Sequence, residues 1–107
     1  MKMGWTHWKR LANSEEWYPD VLDYDGPACY ELGIRGKWKH YVIVTYVENT
    51  GNLSDRMYQY ARNGSHLKKI VTKYWKYDYT LWFRYMRADS KQRAMALEKN
   101  RLKEFRL

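Results

Sequence analysis

Residues His40 to Val47 form the most strand-like run in the chain, dense in β-branched and aromatic side chains, and the residues after it leave the backbone few options. Thr50-Gly51 turns the chain, Asn52 is a good helix N-cap, and Leu53, Met57, Tyr60 and Ala61 then recur at helical spacing. A strand, a tight turn and a helix in direct succession bring Tyr46, near the strand's end, and Arg56, one turn into the helix, toward one point. Ala28 to Arg35 alternates as a second strand, and Gly36 to Lys39 provides the turn of an antiparallel hairpin between the two.

The remaining punctuation extends this order. Asn63-Gly64 stops the first helix, and Ser65 caps a second one running to about Trp75, with Leu67, Ile70, Val71 and Tyr74 on one stripe. Tyr79 to Met86 reads as a third strand, and Asp89-Ser90 caps a last helix carrying Ala94, Leu97, Arg101, Leu102 and Phe105. Residues 1–27 form an N-terminal arm in which Trp5, Trp8 and Leu11 have the spacing of a short helix, before Pro19 and Gly26-Pro27 break the pattern. The expectation is an α+β domain over 28–107 with a small three-stranded antiparallel sheet flanked by helices, in the order β-β-α-α-β-α after the arm.

One hundred and seven residues allow one compact domain, and a formal net charge of +8 on that small body favours polyanions. Charge alone leaves a nucleic-acid binder and a merely soluble basic protein equally open. The single cysteine, Cys29, excludes an internal disulfide and makes a cysteine zinc site untenable. It lies in an apolar strand and reads as a small buried hydrophobe rather than a nucleophile. With no apolar signal region and no run of membrane-spanning length, an intracellular protein that does not use a membrane is expected.

Tyr46, Thr50, Asn52-Leu53 and Arg56 reproduce the spacing Tyr-x-x-x-Thr-x-Asn-Leu-x-x-Arg, which resembles the second half of the GIY-YIG nuclease motif. Ala28-Cys29-Tyr30 stands where that family has Gly-Ile-Tyr, and Tyr46-Val47-Glu48 where it has Tyr-Ile-Gly, so both tyrosines match and both glycines are replaced. The resemblance extends over roughly residues 28–105, and the family's element order agrees with the one read from periodicity.

The resemblance implies a small, stand-alone, phage-like or restriction-like endonuclease that hydrolyses DNA phosphodiester bonds with Mg²⁺ or Mn²⁺. It implies Tyr30 as general base, Tyr46 orienting water or phosphate, and Arg56 on the phosphate oxygens as charge accumulates there. Tyr60, one turn beyond Arg56, is either a further phosphate contact or a core aromatic, and His66 is a secondary catalytic candidate. Glu98 corresponds to the family's metal-binding glutamate, with Glu104 as its competitor. A phenol acts as a base near neutrality only where cations depress its pKa from ~10.

Lys37, Lys39, Arg62, Lys68, Lys69 and Lys73, with Lys76 and Arg84, interleave with aromatics and are candidates for nucleic-acid contact. No separate DNA-reading domain fits, so any sequence preference has to come from the arm, from loops or from a homodimer. Glu48 has three open roles: repelling DNA, pairing with Arg56, or serving as an extra metal ligand. The alternative function is a catalytically weak or inactive nucleic-acid-binding protein that kept the fold; a third class is a basic protein that inhibits or recruits another.

Overall fold

The computed structural model describes residues 4–12, 24–61 and 68–104. In chain order the elements are β1 (Lys9–Ala12), β2 (Ala28–Arg35), β3 (Ile43–Thr50), α1 (Leu53–Ala61), α2 (Lys68–Lys76), β4 (Thr80–Arg87) and α3 (Lys91–Glu104). The class is α+β, as expected, but the sheet has four antiparallel strands in the order β1-β4-β2-β3, not three.

The fourth strand comes from the arm, where helical spacing suggested a helix. Without it the outer edge of β4 would present unpaired N–H and C=O groups. Lys9 and Arg10 pair with Phe83 and Trp82, and Thr6 exchanges bonds with Tyr85 through its backbone N–H and its side-chain oxygen. The register shifts between Arg10 and Ala12, so that neighbouring Leu11 and Ala12 are both buried. A helix would have satisfied the same spacing locally, but it could not have closed the sheet edge.

β3 begins and ends three residues later than the run His40 to Val47 suggested, because its pairing with β2 carries it from Ile43 opposite Ile34 to Thr50 opposite Ala28. Asn49 and Thr50 are indifferent strand formers, yet the buried partner strand holds them in the ladder. Gly33 makes the close approach near the hairpin's turn possible: a Cβ there would come 2.3 Å from Val42 Cγ1 and 3.0 Å from the Ile43 carbonyl oxygen. Asn52 caps α1 by accepting the Asp55 N–H at 3.0 Å, and Ser90 does the same for Arg93 at 3.1 Å in front of α3.

β2 is buried on both sides. On one face Tyr30 and Leu32 join Leu81, Phe83 and Tyr85 of β4 under Leu53, Met57 and Tyr60 of α1 and Val71 of α2. On the other face α3 packs across β2 and β3. There the fully buried Glu31 receives the Nε–H groups of Arg84 (2.6 Å) and Arg101. Trp8 and Trp5 cover Arg84, at 4.6 and 5.3 Å from ring centre to guanidinium, and Trp5 also covers Arg101. Arg84 is therefore committed to an internal carboxylate and is not a free surface cation like the exposed lysines.

Cys29 lies on this second face with no exposed surface, and burial first, then Glu98 and Glu31, push its thiol up to about 12. A rise from 9.0 to about 12 lowers the thiolate fraction at pH 8 about a thousandfold. Iodoacetamide should leave the native protein unlabelled at that pH and alkylate it fully once urea unfolds it. Rapid labelling of the native form would show that the face is open.

Candidate active site

The site forms at the open edge of the sheet, where β3 meets α1. Tyr30 and Glu48 are opposite one another in the β2–β3 ladder and share the α1 face. The Tyr30 hydroxyl donates to Glu48 Oε2 at 2.7 Å and shares a second 2.7 Å hydrogen bond with the Tyr60 hydroxyl. Arg56, projecting from the first turn of α1, places Nη1 3.2 Å from the same Glu48 oxygen. Tyr46, two residues before Glu48 and on the same face, hydrogen-bonds that carboxylate too. Two phenols and a guanidinium thus converge on one anionic group.

Tyr30 and Tyr60 are fully buried, whereas Tyr46 and Arg56 are half-buried. A bulge at Thr45, between the Leu32–Tyr46 and Gly33–Val44 pairs, bends the strand beside Tyr46. Tyr46 consequently lines two recesses. One, toward α2, is shared with Ile70 and Tyr74, and the other, toward α3, is shared with Leu102.

These surroundings keep the phenols protonated. Burial, then Tyr60 and Glu48, drive Tyr30 well above the ordinary phenol value. Burial and Glu48 raise Tyr46, and Glu98 adds a smaller push from the α3 side. Burial raises Tyr60 as well, against its hydrogen bonds with Tyr30 and Arg56. At Arg56 burial pulls the guanidinium down, but Tyr30 and Glu48 outweigh it and the net shift is upward.

Glu98 does not join this cluster directly. Alternation along β3 turns Asn49 to the opposite face from Glu48, and the Asn49 amide donates to Glu98 Oε1 of α3 at 2.9 Å. Asn49 Oδ1 is buried beside it with no hydrogen-bond partner among the described residues. Glu98 and Arg56 therefore lie on opposite sides of β3, and Tyr46, at the edge, feels both sides. Asn49 was missed from sequence because an asparagine at the end of a strand carries no signal until its helix partner is known. His66 and Arg62 lie outside the described residues. Lys37, Lys39, Lys68, Lys69 and Lys73 are all exposed.

Hydrogen-bond donors thus gather around a carboxylate at the sheet edge of a basic α+β domain. The chain belongs to the GIY-YIG family: the model of the GIY-YIG domain-containing proteins matches residues 24–107, and with it comes membership of a nuclease superfamily. Neither the curated proteins nor the solved structures gave a significant match. Among the described residues no helix is long and apolar enough to cross a membrane.

Proposed function

We propose that the protein is a metal-dependent endonuclease acting on DNA, and that the point now held by the Glu48 carboxylate is where a phosphate of the backbone binds. The convergence of Tyr30, Tyr46 and Arg56 on that one carboxylate carries the reading. Donors that hold a carboxylate hold a phosphate oxygen equally well, and Arg56 can offer it two parallel N–H groups. The resident contact is weak enough to displace, because a partly exposed ion pair contributes only ~0–1 kcal/mol.

The roles of the two tyrosines differ from those the family resemblance implied. Tyr30 is buried, raised in pKa and tied to Tyr60, so it serves as a donor that positions Glu48 and then the phosphate. Tyr46 is the phenol that reaches the surface. Its hydroxyl takes the proton of the attacking water as its own proton passes to Glu48, which gives up Arg56 to the phosphate but keeps its bond to Tyr46. In this scheme Glu48 is the final proton acceptor and Arg56 holds the charge that builds on the phosphate oxygens.

The Glu98 carboxylate and the unpartnered Asn49 Oδ1 form a hard-oxygen pair that fits Mg²⁺ or Mn²⁺. A single carboxylate suits an ion that keeps most of its water. Bound there, the ion would lie across β3 from Arg56 and would offset negative charge on the α3 side of Tyr46.

Nicking of supercoiled plasmid with Mg²⁺ tests the assignment. Tyr46→Phe is expected to lose about 10²-fold or more in rate, and Tyr30→Phe about tenfold, with both variants folded. Glu48→Gln separates two readings. If Glu48 accepts the proton, kcat falls while KM also falls, because a negative charge has left the phosphate site. If Glu48 merely plugs the site, the protein is the nucleic-acid binder of the alternative reading: wild type does not nick and Glu48→Gln binds DNA more tightly. Clean wild-type protein that fails to cut with either Mg²⁺ or Mn²⁺ removes the endonuclease assignment.

A further inference from the structure

At the far end of the same sheet, the β2–β3 hairpin tip and the α2–β4 turn hold a group of exposed aromatic side chains. Trp38 is 84% exposed, Tyr77 62% and Tyr41 57%, and they border one recess together with Lys39, Ile43 and Tyr79. The turn that presents Tyr77 is fixed. The N–H groups of Tyr77 and Tyr79 both donate to the Tyr74 carbonyl at 3.1 Å, and Asp78 between them adopts φ 60°. A left-handed residue closing α2 is ordinarily glycine or asparagine; here aspartate carries it, and Tyr77 stands out into solvent. Tyr79 on the other side packs edge-on against Tyr74.

Such a surface is costly to leave in water, and its surroundings say what covers it. Lys37 Nζ lies 5.6 Å from the Trp38 ring centre and Lys39 lines the recess, while among the described residues Asp78 is the only acidic one lining it. Aromatic faces interleaved with lysines match a single nucleic-acid strand, whose bases stack on the rings while its phosphates meet the cations. The tip also communicates with the candidate active site. Tyr74 lines a recess with Tyr46, and Tyr79 continues from Tyr74 to the tip. From the level of Tyr30 to that of Ile34, the last β2 residue paired with β3, is four residues of strand. That is ~13 Å, about four nucleotides at duplex spacing.

We infer that the hairpin tip binds unpaired bases, so that the preferred substrate is DNA with a single-stranded segment a few nucleotides from the scissile phosphate. The inference rests on the endonuclease reading for its substrate, and its test separates the two.

Anisotropy titrations of the full chain in EDTA, with a blunt duplex and with the same duplex bearing a short oligothymidine tail, measure the preference directly. The tailed duplex is expected to bind roughly tenfold more tightly, the worth of about one stacked base. Trp38→Ala and Tyr41→Ala should abolish most of that gain, leaving blunt-duplex affinity and thermal melting unchanged. Equal affinity for both DNAs, or equal weakening of both by Trp38→Ala, overturns the tip assignment while leaving the nuclease reading intact. So does a concentration-dependent dimer that Trp38→Ala dissociates, which would make the tip a protein interface. Failure to bind either DNA removes both proposals together.

Discussion

Replacing Arg56 by alanine should lower Mg²⁺-dependent plasmid nicking by roughly 10²–10³-fold, the effect of deleting a donor that meets charge built up in a transition state. Among the described residues the guanidinium is the permanently charged donor of the cluster around Glu48, held on its carboxylate at 3.2 Å. Its loss should appear mainly in kcat, because the exposed lysines of α2 and the hairpin tip, proposed to contact DNA, are left in place. Arg56→Lys keeps the charge but not the planar fork, and should recover only part of the rate. Because the Arg56–Glu48 pair is partly exposed, at 26% and 29%, neither variant should lose much stability. A melting curve shows whether lost activity is lost fold. Unimpaired cutting by Arg56→Ala would place the phosphate elsewhere.

The largest effect on stability is expected on the other face of the sheet. Glu31 has no exposed surface, and its two oxygens are met separately by Arg84 and Arg101, which are themselves only 22% and 20% exposed. Removing both cations, as Arg84→Met with Arg101→Met, strands a carboxylate inside the fold. The expected cost is about 3–5 kcal/mol. For a domain of this size that is a fall in melting temperature on the order of 15–30 °C. Adding Glu31→Met should restore most of the loss, since three apolar side chains of similar length have nothing left to solvate. Urea titrations of the double and triple variants measure both steps, and a double variant within about 1 kcal/mol of wild type would refute the account. Trp5 and Trp8 shield this cluster, so their loss should destabilise the protein in the same direction.

Local signals located the elements well. Helix starts at Asn52 and Ser90 were readable because an N-cap acts within its own first turn, and both side chains make the bonds expected of them. Helix spacing failed in two places. At Trp5, Trp8 and Leu11 it suggested a helix, but a bulged strand buries Leu11 and Ala12 together against β4. In α2 it put Ile70 and Val71 on one buried stripe, yet Val71 is buried and Ile70 is 47% exposed beside the recess next to Tyr46. In both cases neighbours distant in sequence, absent from any local window, made the choice.

The candidate site divides in the same way. Tyr46, the turn at Thr50-Gly51 and Arg56 lie within eleven consecutive residues, and backbone geometry over so short a span is almost all that sets their relation. Pairing of β2 with β3 then had only to bring Tyr30 opposite Glu48. What could not be read along the chain is which face each acidic side chain occupies and what it meets there. Glu48 faces α1 and gathers the donors, Glu31 disappears between two arginines, and Glu98 meets Asn49 across the sheet from Arg56. Three glutamates of identical chemistry thus acquire three different environments. Only packing assigns them, because a carboxylate's behaviour depends on its burial and its partners, and both are supplied by residues far away in sequence.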